Sequence, residues 1–446
     1  MRHYHGRTGL QAVGLANAPT ASSEAGAKPK VVVSGLADPY ELLMGPDGYL
    51  WLTEKSGLKV KRVKPDTGAA SVVLDLTGTA VHSPHGKDGV LGMALHPDFG
   101  KGRRSDYVYL AYSYEGNGGN ATKISRYTWA DGRLNEPKDV IVGLPSGDDH
   151  QAARLRYGPD GKLYYSVGDQ GANYEKHYCV PNQAQSLPTK EQVDAKDFGL
   201  YKGKILRIEL DGSVPGDNPE LNGVRSHVFA YGLRNPNGLA FKGRDLYVAE
   251  HGPATDDELD EIDAGKNYGW PDVAGNKDDR NYAYANWSKA EGGCAKLTFT
   301  ADPAQVPVQV PQTKESAFDQ NFEKPLTTYG TTVDTGYALG TTSTCPDPVS
   351  AYICWPTIAP ASVEVAGDDL LVTSMKDGAV YRMDDDGEHR EKLFDTINRY
   401  RDTALSADGK TLYIATDSSG ITRGANGAPT TALANPGAIL AVPYTS

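Results

Sequence analysis

Several scarcities narrow the field before any motif is read. The 446-residue chain has four cysteines, five methionines and eight phenylalanines, and its 45 lysines and arginines fall short of its 57 aspartates and glutamates. The resulting formal charge of −12 argues against a phosphate-tracking surface, because nucleic-acid affinity rests on clustered Lys and Arg. A small molecule is the expected partner, and nucleic acid is not. No apolar run approaches the roughly 18 residues that mark a membrane span. None of Cys179, Cys294, Cys345 and Cys354 stands in a C-x-x-C or Cys/His zinc spacing. Cys345 and Cys354 flank a short loop, PDPVSAYI, which a disulfide could close. Their even number, without a metal pattern, tilts the reading toward oxidised pairs and a periplasmic or secreted home. Helical periodicity is sparse as well, with TKEQVDAKD at 189–197 the best candidate.

What the chain does have is 50 glycines, 28 prolines and 26 tyrosines, a composition of tight turns and half-wetted aromatic surface. One phrase recurs. GPDGYLWLTE at 45–54 returns as HPDFGKGRRSDYVYLAYS at 96–113 and GPDGKLYYSVGD at 158–169, then as FKGRDLYVAEHG at 241–252, VAGDDLLVTSMKDG at 365–378 and SADGKTLYIATDSSG at 406–420. Each copy is a Gly/Asp turn followed by a strand of aromatic and β-branched residues. A hairpin cannot bury its faces alone, so the copies must pack on one another. Six copies at blade-like spacing predict an all-β chain, a six-bladed β-propeller of four-stranded antiparallel blades. The single propeller domain is expected over residues 30–446. Residues 1–29, with a basic start, a weakly apolar stretch and an Ala/Ser/Thr tail, are read as a disordered leader or signal remnant.

In a propeller, loops at one end of the strands surround the axis and carry binding groups from different blades. Before the third copy stands GDDHQAARL, with Asp149 and His150, and at its end stands Asp169. A polar loop residue is the ordinary case for such a histidine. A carboxylate behind the ring would instead fix its tautomer and basicity. Arg234 and Asn235 precede another strand, Lys376 follows one, and Arg399 and Arg401 alternate across Tyr400, so in a strand both would face one side and could grip a planar anion. Each cation alone reads as a solvated surface residue, but together, in an acidic chain, they suit an anionic ligand at the axis. The carboxylates in ATDDELDEID and KDD form either a charged loop or a calcium site without EF-hand spacing. His82 and His85 are assigned no metal.

Longer strings now identify a relationship. ELLMGPDG (41–48), GVLGMALHPDF (89–99), DHQAARL (149–155), GLRNPNGLAF (232–241), NYGWPDVAG (267–275), YICWPTIAP (352–360) and NRYRD (398–402) resemble the soluble quinoprotein glucose dehydrogenases and aldose sugar dehydrogenases, six-bladed enzymes that use pyrroloquinoline quinone (PQQ) and calcium. The resemblance runs from about residue 30 to the end of the chain. It implies oxidation of an aldose at its anomeric carbon to the lactone, with electrons passed to an external acceptor. His150 would be the general base, Asp169 its orienting partner and Arg234 the group that polarises the quinone carbonyl. Asn235, His251, Thr357, Lys376, Arg399, Arg401 and Asp417 would surround PQQ, and the carbonyls of Gly252 and Pro253 would hold the calcium bound with it. The sugar would meet Lys87, Asp149, Tyr174, Tyr352 and Trp355. Asp257, Glu258, Asp278 and Glu315, with the carbonyls of Tyr268 and Ala274, match the family's structural calcium region near its dimer interface, so a homodimer is a possibility. Cys345 and Cys354 match the family's disulfide, whereas Cys179 and Cys294 have no counterpart.

Three positions depart from the glucose enzymes, which carry glutamine where this chain has Lys87, Tyr174 and His251. The chemistry is therefore implied and the preference for glucose is not. Two other readings compete. A calcium-dependent propeller lactonase would not need Arg399 and Arg401, and a binding-only propeller without cofactor should lack the joint set His150, Asp169, Arg234 and Lys376.

Overall fold

The computed structural model describes residues 28–102, 104–330, 339 and 341–445; the expected leader lies almost wholly outside them. Six four-stranded antiparallel sheets follow one another along the chain. Their inner and second strands are Pro39–Met44 and Leu50–Glu54 in blade 1, Val90–Leu95 and Tyr107–Gly116 in blade 2, Ala152–Tyr157 and Leu163–Val167 in blade 3. Blades 4, 5 and 6 begin with Pro236–Lys242 and Asp245–Glu250, Pro360–Ala366 and Asp369–Ser374, and Tyr400–Leu405 and Thr411–Thr416. Every repeated phrase is therefore the turn and second strand of a blade, and the six-bladed propeller is confirmed.

Closure uses both parts of the chain. Ile439–Pro443 is the third strand of blade 6, and the early strand Lys30–Val33 pairs beyond it as the fourth, with Lys30 opposite Ala441. Six apolar clusters fill the six gaps between adjacent blades. Between blades 4 and 5, for example, Leu259 and Ala249 meet Val363 and Leu370. Removing such side chains from water contributes roughly 1.5–3 kcal/mol each, and an arrangement with no open sheet end leaves no gap unfilled.

At the axis, fully buried Arg154 joins five blades. It donates to the carbonyls of Tyr40, Asn237 and Ala361 and to the carboxylate of Asp402 at 2.9 Å, with Glu41 3.1 Å away. All six inner strands shift register near their first residues, and such bulges re-aim side chains at a strand end. In blade 3 the distortion is largest, with φ of 37° at His150, 52° at Ala152 and 74° at Ala153, a left-handed conformation uncommon for residues other than glycine.

Helix is confined to short pieces. The stretch expected at 189–197 forms Lys190–Asp194, started by a capping box between Thr189 and Gln192. Pro348–Cys354, read from sequence as a loop, is a second short helix capped by the Asp347 side chain. No helix among the described residues is long and apolar enough to cross a membrane. Both cysteine pairs are disulfides, Cys345–Cys354 as the resemblance implied and Cys179–Cys294 beyond it.

Candidate active site

Chain entering an inner strand and chain leaving a second strand meet at the same end of each blade, and the functional side chains come from these two places. Between them lies a cavity of about 380 Å³. Its wall includes Asp149 and His150 from blade 3, Asn235 and His251 from blade 4, and Arg399 and Arg401 from blade 6. A wider recess of about 520 Å³ adjoins it, sharing Glu175 and Tyr352 and carrying Trp355.

His150 is nearly buried, and its Nδ1 lies 2.6 Å from Asp169 Oδ1. Asp169 is itself fully buried and accepts from the Gly171 amide at 2.9 Å, Asn182 Nδ2 at 2.9 Å and the Trp270 indole at 2.8 Å. Three donors beside the imidazole hold this carboxylate in place. That leaves Nε2 as the ring atom free to take up a proton. Gly168 permits the approach, because any Cβ there would strike the His150 carbonyl. Asp149 accepts from the His150 amide at 3.0 Å; burial opposes its charge, but His150 and Lys87 hold its pKa below the usual carboxylate range.

Arg234 stacks between the rings of Tyr174, 4.8 Å from its centroid, and Trp270, 5.3 Å away, and donates to the His251 carbonyl at 3.1 Å. Its backbone amide and that of Asn235 both donate to Glu250 Oε2. Arg234 Nε, Asn235 Oδ1 and His251 Nε2 are buried without a hydrogen-bond partner among the described residues. Such orphans in a cavity wall suit a polar ligand. Burial, then the charges of Arg234, His150 and Arg401, pulls the His251 pKa well down, so this imidazole is neutral.

Arg399 and Arg401 do face one side. Their Nε atoms reach opposite oxygens of Asp417 at 3.0 and 2.8 Å. Burial opposes the Asp417 charge, but Arg401 and Arg399 outweigh it and hold its pKa well below the usual range. Arg399 also donates to the Tyr352 hydroxyl at 2.8 Å. Lys376 is fully buried behind this wall and donates to the Trp355 carbonyl at 2.8 Å and the Thr357 hydroxyl at 3.0 Å. Burial pulls its pKa down and pushes that of neighbouring Asp257 up.

Lys87 stays open to the cavity although protein surrounds most of its side chain. This partial desolvation, then the charges of Lys55, Arg399 and Arg401, lowers its pKa to about 8. The Tyr174 ring lies beside His150, 6.4 Å between centroids, behind the wall of the main cavity. Its hydroxyl donates to the Pro253 carbonyl at 2.8 Å, and its ring backs Arg234 and lines a small separate pocket with Phe299 and Trp287.

The expected calcium residues divide along one strand. In Asp257–Glu261 alternate side chains point to opposite faces. Asp257 accordingly faces blade 5, where it accepts from the amides of Ile358 at 2.8 Å and Ala359 at 2.7 Å, besides Gly252 at 2.9 Å. Glu258 points the other way and accepts from the Gly275 amide. Glu315 accepts from the amides of Ala274, Asp278 and Asp279, and buried Tyr268 lies in the same loop system. Asp257 is thus not brought to this group. Asp256 lies against Gly275 instead, and burial, with the charges of Glu315 and Asp278, pushes its pKa up to about 8. Glu315 is pushed up to about 7, mainly by burial.

Sequence reasoning missed Lys55, Glu175, Asn182 and Trp270 as participants. Lys55 had a detectable signal. It follows its blade's second strand just as Asp169, His251, Lys376 and Asp417 follow theirs.

Comparison with known proteins agrees with this picture. The Glucose / Sorbosone dehydrogenase family matches residues 36–320. Quinoprotein glucose dehydrogenase B of Acinetobacter calcoaceticus is 41% identical over 441 residues, covering 93% of this chain and 90% of the relative. Aldose sugar dehydrogenase YliI of Escherichia coli is 30% identical over 251 residues, covering 54% and 61%. Among solved structures, the PQQ-bound aldose sugar dehydrogenase of Streptomyces coelicolor superposes with a TM-score of 0.63 at 22% identity, over 94% of this chain and 98% of that one, a likeness of fold.

Proposed function

The chain belongs to the glucose/sorbosone dehydrogenase family, and from that footing we propose that it is a PQQ- and calcium-dependent sugar dehydrogenase that oxidises an aldose at its anomeric carbon to the lactone and hands the electrons to an external acceptor. That it is an enzyme of the quinoprotein and aldose sugar dehydrogenase kind follows from its relatives. The observation that carries the mechanism is the His150–Asp169 pair, facing a cavity whose opposite wall holds Arg399 and Arg401.

The residues present fit the cofactor. Arg399, Arg401 and Lys87 offer cations to its carboxylates and to the sugar, and the unpartnered atoms of Arg234, Asn235 and His251 await polar groups. The Gly252 turn leaves no room for a side chain, so its carbonyl and that of Pro253 can approach a calcium ion closely. When bound, PQQ supplies the two-electron sink and calcium polarises it. His150 takes the anomeric hydroxyl proton at Nε2 while Asp169, on Nδ1, stabilises the imidazolium that forms. Arg234, fixed by two aromatic rings and by the Glu250 grip on its amide, presents positive charge where negative charge develops. Asp149 and Lys87 orient the sugar, and Tyr352 and Trp355 line its way in from the recess. The crowded carboxyls of Asp256, Glu258 and Glu315 suit a structural calcium. Two disulfides support a periplasmic or secreted location.

The test is reconstitution. Purified protein freed of metal and cofactor should reduce an artificial dye with aldoses only after both PQQ and calcium are added, and NAD should not substitute. Full activity after exhaustive chelation would refute the reading.

A further inference from the structure

We propose that Glu250, Glu258 and Asp260 form a further calcium-binding site, sharing Glu258 with the group around Glu315 and buried between blades 3 and 4 beneath the cofactor-facing corner of Arg234 and Asn235. Glu250 and Glu258 are opposite one another in neighbouring strands of blade 4. Asp260, two residues beyond Glu258, shares their face by the alternation of a strand. One carboxylate oxygen from each lies within 4.8 Å of the others, so a single ion could touch all three at the 2.3–2.6 Å usual for calcium.

The surroundings make three bare carboxylates costly. Leu246, Val248 and Ile262 of the same blade pack here against Ile205, Ala230 and Leu233 around blade 3. Glu250 has the amides of Arg234 and Asn235 on one oxygen, and Glu258 has that of Gly275 on one. Asp260 has nothing. It is fully buried, and neither of its oxygens meets a donor among the described residues. No lysine, arginine or histidine forms an ion pair with any of the three among the described residues. A buried carboxylate without partners is strongly disfavoured, and a cation supplies the missing counter-charge. With oxygen donors alone and little room for a hydration shell, calcium suits the place better than magnesium, which keeps several waters, or zinc, which favours nitrogen and sulfur.

Glu258 also borders the group around Glu315, but Glu250 and Asp260 do not belong to that group. Through Glu250 an ion here would fix the two amides that set the backbone of Arg234 and Asn235. The site would thereby act as a positioning device for the cofactor corner, and it does not depend on which sugar or quinone the cavity takes.

Two experiments test it. Crystals of the wild-type full chain soaked in terbium chloride should show an anomalous peak enclosed by Glu250, Glu258 and Asp260. Peaks elsewhere with none at that point would overturn the proposal. In solution, Asp260→Asn should carry about one calcium per chain fewer than wild type by elemental analysis, and its melting temperature should respond less to chelator. An unchanged calcium complement would mean instead that the three carboxyls share protons, and the proposal would fall. Should Asp260→Asn not fold, the wild-type crystal alone decides.

Discussion

His150 Nδ1 and Asp169 Oδ1 stand 2.6 Å apart, and the same carboxylate is held from its other side by Asn182 and Trp270. The histidine is thus aimed by a carboxylate that cannot turn. His150→Ala should lower turnover by roughly a hundredfold or more, the usual scale of general-base loss. PQQ binding, followed by its absorbance, should change little. Asp169→Asn should act through the ring's orientation and shift the pH–rate profile, a change that simple loss of stability would not produce.

Gly168 provides an independent check on the same geometry. Any side chain there meets the His150 carbonyl, so Gly168→Ala should push His150 away and lower kcat by at least tenfold. The far-ultraviolet spectrum should stay that of the native fold. Wild-type turnover in this variant would show that His150 need not sit where it does.

Lys87 and Tyr174 should separate in their effects. Lys87 is open to the cavity, so Lys87→Gln should alter the order of preference among glucose, galactose, xylose, maltose and lactose. Tyr174 backs Arg234 and caps Pro253, so Tyr174→Gln should lower kcat for every sugar and leave the order alone. Steady-state kinetics on the two variants distinguish these outcomes.

The lowered pKa of Lys87, about 8, has a readable sign. Its ammonium is present below that pH and is lost above it. If it holds the sugar, KM should rise between about pH 7 and 9 in the wild type and stay flat in Lys87→Met. On stability the same shift acts oppositely, because the folded state gives up this proton before the unfolded chain does. The cost of this partly desolvated, cation-crowded charge is fully present below pH 8 and is relieved as pH climbs toward the ordinary lysine value.

Arg154 should matter for stability rather than chemistry. Arg154→Met removes the ion pair of Asp402, leaves Glu41 with Arg156 alone, and takes a donor from three carbonyls at the axis. A loss of about 3–5 kcal/mol is expected, seen as a lower denaturation midpoint.

The propeller was legible because its turn chemistry is written into the chain six times, and each copy ends where a functional side chain can begin. Arg399 and Arg401 were legible as a pair because strand alternation is periodic. Asp257 was not, since the motif that names it does not reveal which face of its strand is turned to which neighbour. The Cys179–Cys294 bond was hidden by a separation of 115 residues, and the helix at Pro348–Cys354 by the proline that begins it. Tyr174 was legible as a departure from the family's glutamine, whereas its turn toward the Pro253 carbonyl was not.

The pairing of Lys30–Val33 with Ile439–Pro443 bears on how the molecule comes into being. During synthesis the early strand has no neighbour to add to until more than four hundred further residues have been made, and the apolar gap between blades 6 and 1 stays open meanwhile. Such a long-range contact is slow to form. A nascent chain therefore emerges as a row of half-satisfied sheets, and its last act of folding is a latch thrown by the two segments farthest apart in the sequence. Cutting away either segment should release the latch and leave a soluble but aggregation-prone arc.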